Sequence, residues 1–149
     1  MSGNVIRALP ANVFLSLDLL NLQKIFLLNC QLTSIDKYTF AKLTNLVELE
    51  LSENRMEFIP SHSFRSIPEL RELKMNSNPI SRIANDAFLT LPRLVRLELA
   101  ACRIGTIEMW AFRGLPALQW LRLDQNRLLT VQVCYLPIFY SFQSEYQYS

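Results

Sequence analysis

The chain has 149 residues and a formal net charge of +2, from 15 basic and 13 acidic residues, and half of its residues are hydrophobic. This length fits one domain, and the composition excludes a disordered chain. The near balance of charges gives no basic patch for nucleic acid, and three glycines cannot form a phosphate-binding loop. A single histidine, His62, argues against histidine-based catalysis or metal binding, and we expect it in a solvated turn.

Residues 1–21 form the first predicted element, a partial repeat with an insertion. Its apolar residues precede a matching set by 26 residues: Ile6, Leu9, Phe14 and Leu17 against Leu32, Ile35, Phe40 and Leu43. Two residues inserted near 19–21 explain why this spacing exceeds the period found later. The segment lacks the apolar stretch and cleavage site of a signal peptide. No 18-residue apolar run occurs in the chain, so we expect no membrane insertion.

Residues 22–130 repeat with a period of 24 residues, which we divide into 22–45, 46–69, 70–93, 94–117 and a partial repeat, 118–130. Each repeat follows the pattern L-x-x-L-x-L-x-x-(N/C)-x-L, which is the leucine-rich repeat pattern. The first position is held by Leu22, Leu46, Leu70, Leu94 and Leu118. The unbroken register over more than four units predicts a solenoid of stacked repeats.

The pattern within a repeat predicts an α/β solenoid with two different faces. The L-x-L triplet alternates with a period of two, so it predicts a short strand, and stacking makes these strands parallel on the concave face. On the convex face a phenylalanine recurs, followed by a proline in three repeats, which discourages a helix. We therefore expect irregular turns or short 3₁₀ pieces there. The stacked phenylalanines are Phe40, Phe64, Phe88 and Phe112.

The Asn or Cys position of each repeat predicts a structural ladder where the strand turns. A side-chain amide at this point can bond backbone groups that the turn would leave unpaired. Cys30 and Cys102 are three repeats apart, about 14 Å, so we expect buried thiols and no disulfide. The ladder comprises Cys30, Asn54, Asn78, Cys102 and Asn126.

Residues 131–149 depart from the pattern and are rich in aromatic side chains. A solenoid end needs a cap because an open end exposes core and a bare strand edge. We expect this tail to fold over the last repeat as a cap. The absence of cysteine-rich caps favours a chain that is a piece of a larger protein or a shortened form.

The residues between the inward-facing leucines point onto the concave face. Opposite charges in one column, such as Glu50 and Lys74, lie about 4.8 Å apart and can pair along the stack. One interpretation is a solvated face whose charges neutralise one another; another is a docking face with apolar anchors at Phe26, Leu28 and Trp120. A further alternative packs Phe26 and Leu28 under a missing N-terminal cap or under the displaced partial repeat. The predicted protein-binding residues are Lys24, Phe26, Leu28, Glu48, Glu50, Glu72, Lys74, Arg96, Glu98, Trp120, Arg122 and Asp124.

Catalysis has little support in this pattern. Ser61 and Ser63 merely flank His62, which is not the geometry of a nucleophile and its base. The carboxylates at 48, 50 and 72 have no evident partner that would shift a pKa. We expect no catalytic residue, no metal site and no cofactor.

Residues 19–129 resemble the repeats of the Kekkon family. The resemblance rests on NLQKIFLLNC, LTNLVELELSEN and the run PELRELKMNSNPI, and on cysteine at two Asn positions. It implies a cell-surface protein with extracellular repeats and an immunoglobulin domain. It also implies a protein ligand such as the epidermal growth factor receptor ectodomain, and modulation of receptor tyrosine kinase signalling. Taken without the resemblance, the thiols favour the alternative of an intracellular leucine-rich repeat scaffold or adaptor.

Overall fold

The structure is a computed structural model, which describes residues 3–15, 17, 19 and 21–128. Within these residues the chain forms short strands and one 3₁₀ helix, at Ser63–Ser66. In chain order the strands are β1 (Ala8–Leu9), β2 (Lys24–Phe26), β3 (Ser34–Ile35), β4 (Glu48–Glu50), β5 (Glu72–Lys74), β6 (Arg82–Ile83), β7 (Arg96–Glu98), β8 (Thr106–Ile107) and β9 (Trp120–Arg122).

One sheet contains the L-x-L strands of all five repeats, in the order β2-β4-β5-β7-β9. All its strand pairs are parallel, and each residue lies beside the residue 24 positions later, as Ile25 beside Leu49 and Leu97 beside Leu121. The central residue of each strand thus points into the core on the same side. The predicted solenoid with short parallel strands on one face is confirmed.

A second row of strand pairing lies beyond the turn that follows the first sheet. It consists of two separate pairs, β1-β3 and β6-β8. Leu9 lies beside Ile35, an offset of 26 residues, whereas Ile83 lies beside Ile107 at the regular offset. The proposed division of the chain into repeats, with boundaries near residues 21 and 130, stays a prediction.

Pro60 removes one hydrogen bond of this second row in the repeat that starts at Leu46. In other repeats, the Asp36 N–H donates to the Leu9 carbonyl, and the Glu108 N–H donates to the Ile83 carbonyl. Pro60 holds the same position, and proline has no N–H. The Ile35 carbonyl accepts instead from the Ser63 hydroxyl at 3.2 Å.

The core is a stack of aliphatic side chains between the two rows, continued by a column of phenylalanines. Phe40, Phe64, Phe88 and Phe112 are all fully or almost fully buried. The Phe88 and Phe112 rings stack with their centroids 6.0 Å apart and their planes 2° apart. Apart from the single 3₁₀ helix, the described convex segments are turns, as the recurring prolines indicated.

The turns after the strands are joined by asparagine side chains. Asn54 accepts hydrogen bonds from the N–H groups of Cys30 and Leu32, both at 3.0 Å, and Asn126 accepts from Cys102 and Ile104. Each amide also donates to carbonyls of its own and the preceding repeat. Neighbouring turns are thus bonded one to the next.

At the positions where cysteine replaces asparagine, the thiol supplies a hydrogen-bond donor to backbone carbonyls. Cys102 donates from its thiol to the carbonyls of Met75 and Ala100, at 3.2 and 3.4 Å. In the preceding turn, the Ile80 N–H bonds to the Asn78 carbonyl. Cys30 and Cys102 are both buried and are not joined by a disulfide.

The described part of the chain contains no helix with the length and apolar character needed to cross a bilayer. The aromatic tail, residues 131–149, lies outside the described residues. The expected cap over the last repeat therefore remains a prediction.

Candidate protein-binding face

The outward side chains of the five-stranded sheet form one continuous surface, which we call the concave face. Strand pairing places two columns side by side on it, with Leu28 and Asp124 just after the first and last strands. The columns are Lys24, Glu48, Glu72, Arg96 and Trp120, and Phe26, Glu50, Lys74, Glu98 and Arg122. The structure therefore brings the twelve predicted residues onto one face or its border.

One ion pair of this face, Lys24–Glu48, runs along a column as expected, and the others run differently. Glu48 binds both Lys24 and Lys74, each at 2.9 Å, so the second pair is diagonal between columns. Arg96 binds Glu98 at 2.6 Å within one strand. The expected pairing along the column from Glu50 was thus wrong in its direction. Long flexible side chains reach a diagonal partner as readily as a direct neighbour.

These contacts shift the ionisation of the carboxylates in the middle of the face. Hydrogen bonds from Lys24 and then Lys74 hold the pKa of Glu48 below its usual value. Burial raises the pKa of Glu98, but hydrogen bonds from Asn76 and Arg96 and the nearby positive charges outweigh it, so this pKa is also lowered. Both groups are therefore charged at neutral pH and act as acceptors for their neighbours.

Asn76 and Ser52 connect the ion pairs into a network and were not among the predicted site residues. Asn76 donates from Nδ2 to Glu98 at 2.8 Å and accepts the Ala100 N–H at 2.8 Å. The Ser52 hydroxyl accepts the Asn76 N–H at 3.0 Å. The available signal was their shared place, directly after the last inward apolar residue of the repeat's strand pattern, Leu51 or Met75, where a short polar side chain reaches the next turn.

The two apolar anchors lie at opposite ends of this network. Phe26 on β2 is 46% exposed and Trp120 on β9 is 54% exposed, whereas Leu28 is half-buried. The Arg96 guanidinium lies over the Trp120 ring, 5.2 Å from its centroid, which is cation–π geometry. The exposure of Phe26 does not support the alternative in which it packs under the partial repeat.

The terminal charges of the face form their own pair. Arg122 binds Asp124 through two hydrogen bonds, at 2.7 and 3.2 Å. This contact raises the pKa of Arg122 further, so the guanidinium stays charged. The pair borders Trp120 and leaves the outer corner of the face polar.

Features that could suggest chemistry lie away from the concave face. A cavity of about 490 Å³ is lined by Asp36, Lys37 and His62 among others, and His62 is exposed. Within residues 3–15, 17, 19 and 21–128, no group of three His, Cys, Asp or Glu side chains is placed to hold a metal ion.

Comparison with known proteins identifies the repeats. The leucine rich repeat family matches residues 20–80 and 68–128, which together span more than half of the chain. The chain belongs to the leucine-rich repeat family. Such domains typically bind proteins, since their stacked strands form an extended surface.

Two solved proteins show how similar this leucine-rich repeat chain is to known structures. The APL1 leucine-rich repeat domain is 29% identical with a TM-score of 0.77, over 86% of this chain and 33% of that chain. A chain of the Drosophila Toll–Spätzle complex is 26% identical with a TM-score of 0.71, over 83% of this chain and 18% of that chain. This leucine-rich repeat chain thus spans a third or less of those chains. It matches none of the curated proteins.

Proposed function

We propose that the concave face binds a protein partner and carries out no chemistry. The observation that supports this most directly is the placement of two exposed aromatic side chains, Phe26 and Trp120, at the ends of a bonded polar network. Exposed aromatic residues on a rigid support are typical binding hot spots. The residues we assign to this site are the twelve predicted residues of the concave face, with Ser52 and Asn76 as their positioning residues.

We further propose that the chain is part of a receptor-like or adhesion ectodomain at the cell surface. The resemblance to Kekkon repeats supports this origin, and the resemblance implies the epidermal growth factor receptor ectodomain as a partner whose signalling the protein modulates. The similarity to a chain of the Toll–Spätzle complex supports a protein ligand. A surface label applied to intact cells that express the full transcript would test this location.

An intracellular scaffold is the second candidate, and one observation favours it. Cys30 and Cys102 are buried thiols in positions that asparagine also occupies. Cysteine in this form is compatible with a reducing compartment, where thiols are kept reduced. If the surface label reaches the protein only after the cells are permeabilised, the result selects this candidate.

The binding proposal is tested with the epidermal growth factor receptor ectodomain as the partner. The purified ectodomain is immobilised, and its capture of the full leucine-rich repeat chain is measured. We expect Trp120→Ala to weaken binding about 30-fold, the loss typical of a hot-spot side chain of about 2 kcal/mol. Glu50→Lys should also weaken it, because the change reverses a half-buried charge on the same face.

Two matched variants outside the face serve as controls. Phe58 is 74% exposed and lies beyond the sheet, so Phe58→Ala removes an exposed aromatic ring without altering the concave face. Glu57→Lys makes the same charge change at an exposed position near it. The site assignment is wrong if the concave variants bind like the wild type, or if the control variants lose as much affinity.

A further inference from the structure

Two half-exposed charges of opposite sign lie between Phe26 and Trp120 on the concave face, whereas the exposed Lys24 lies on β2 beside Phe26, at the end of this span. The Glu72 side chain, on the central strand β5, is 43% exposed, and its contact with Lys74 is a loose 3.6 Å. The Arg96 side chain, on β7, is also 43% exposed. Along the stack from Phe26 to Trp120, the face therefore offers an acceptor on β5 and then a donor on β7.

The rest of the network explains why these two groups stay available. Glu48 holds both Lys24 and Lys74 at 2.9 Å, so the closest lysine contacts are directed to Glu48 and away from Glu72. Arg96 uses its Nε for Glu98, while the guanidinium has five N–H groups in total. The guanidinium lies over the exposed Trp120 ring, with its carbon 5.2 Å from the ring centroid.

The distance between the anchors fixes the length of ligand that can bridge them. Phe26 and Trp120 are four strand spacings apart, about 19 Å, and two residues apart along the strand, so their backbones are separated by about 20 Å. An extended chain rises about 3.3 Å per residue, and alternate side chains share one face. Six residue steps therefore cover the distance and present four side chains to the sheet.

We infer, resting on the proposed function, that the concave face binds an extended peptide segment with the pattern apolar-x-basic-x-acidic-x-apolar. Read from Phe26 towards Trp120, its basic side chain faces Glu50 and Glu72, and its acidic side chain faces Arg96. The two apolar side chains contact Phe26 and Trp120. The peptide crosses the strands obliquely, and either chain direction satisfies the same order of charges.

An extended segment fits this face better than a helix does. The strands of the sheet are three residues long, about 10 Å, whereas a helix with its side chains is 10–12 Å wide. A helix would also need anchors about 14 residues apart to span the same distance on one face. A helical ligand is therefore the alternative that the test has to distinguish.

The test measures fluorescence anisotropy of synthetic peptides with leucine at positions 1 and 7 and threonine at 2, 4 and 6. Positions 3 and 5 are Lys and Glu in either order, Lys and Lys, or Glu and Glu. The binding protein in each measurement is the full leucine-rich repeat chain. We expect the wild type to prefer a mixed-charge peptide over both like-charge peptides by at least about fivefold, the effect of one exposed ion pair.

Charge variants of the protein should switch this preference. Glu72→Lys should turn the preference to the Glu–Glu peptide, and Arg96→Gln should remove the discrimination between the mixed and Lys–Lys peptides. Glu57→Lys, outside the face, should leave the order of peptides unchanged. Because Arg96 bonds to the buried Glu98, the unfolding midpoint of Arg96→Gln is measured as well. If Arg96→Gln does not fold, the Glu72→Lys result alone decides the test.

Three results would overturn the inference. If binding is lost in Trp120→Ala but Glu72→Lys leaves the peptide order unchanged, the concave face binds protein and the charge pattern is wrong. If a helical 15-residue peptide with anchors 14 apart binds more tightly than the extended peptides, the ligand is a helix. If no peptide binds at millimolar concentration, the extended ligand is refuted, and receptor capture remains the separate test of the proposed function.

Discussion

Replacing Asn54 by alanine removes a side chain that joins two repeats. Its Oδ1 accepts from the N–H groups of Cys30 and Leu32, each at 3.0 Å. Its Nδ2 donates to the carbonyls of Leu27, Leu51 and Ser52, at 2.8, 2.9 and 3.2 Å. Asn54 is itself buried. The substitution therefore withdraws five hydrogen bonds from a part of the chain that water does not reach.

The loss of stability follows from counting the groups that have another partner. The carbonyls of Leu51 and Ser52 also accept from Asn78 and from the Asn29 N–H. The two N–H groups and the Leu27 carbonyl lose the Asn54 contact. A buried polar group left unsatisfied costs about 1–3 kcal/mol. We expect Asn54→Ala to lower the free energy of unfolding by about 3–5 kcal/mol, a large share of the roughly 5–15 kcal/mol typical of a domain.

Asn54→Cys separates the donor from the acceptor function of the side chain. At the equivalent position the Cys102 thiol donates to two carbonyls, and the Ile80 N–H of the preceding turn bonds to a backbone carbonyl. A cysteine at position 54 should therefore recover the carbonyl contacts and leave the two N–H groups without the Oδ1 acceptor. We expect its stability to lie between those of the wild type and Asn54→Ala, about 1–2 kcal/mol above the latter.

Urea unfolding followed by circular dichroism measures these differences, with the slope compared among variants to check that the transition stays cooperative. Asn45→Ala, at an exposed position, is the control and should change stability by less than about 0.5 kcal/mol. The reasoning fails if Asn54→Ala is as stable as the control, or if cysteine at 54 is no better than alanine.

Three further predictions concern packing, pH and thiol reactivity. A Cβ on Gly114 would lie 2.3 Å from the Leu89 Cα, so Gly114→Ala should cost about 1–3 kcal/mol in urea unfolding, while Gly105→Ala, with nothing nearer than 3.8 Å, should be nearly neutral. Because the pKa of Glu98 is lowered in the folded protein, this group stabilises the fold above about pH 4.3, the usual pKa in an unfolded chain, and this contribution is lost as the pH falls through the lower folded-state pKa; Glu98→Gln should therefore flatten the loss of stability in acid. Burial raises the pKa of the Cys102 thiol, so peptide mapping should show slow alkylation of Cys102 at pH 8 that becomes rapid in denaturant.

The regular part of the fold could be predicted because one residue type recurs at one position. A 24-residue period in the inward leucines fixes both the strand and its register, and the structure pairs Leu49 with Leu73 and Leu73 with Leu97 accordingly. Pro60 was also visible in the sequence. It becomes informative only once the neighbouring repeats show that this position donates an N–H to the preceding strand.

The contacts of the face could not be read from the period. Strand register places Glu50 beside Lys74, but the lysine binds Glu48 in the other column. Backbone register determines which Cβ atoms are neighbours. The long, flexible side chain of a lysine can bind any acceptor within its reach. The contribution of Asn76 to the site could not be predicted for a related reason. Its partners, Ala100 and Glu98, belong to the next repeat and are close to it only in the folded structure.

The two interpretations of the concave face, a self-neutralised surface and a docking site, describe different parts of one surface. Glu98 is held by Arg96 and Asn76, and Glu48 is held by two lysines, so the middle of the face is already ordered before a partner arrives. Ordering a flexible side chain on binding costs about 0.5–1.5 kcal/mol, and a face with fixed side chains avoids much of that cost. Affinity should then depend on the exposed ends of the network, with Trp120 carrying more of it than any single ion pair.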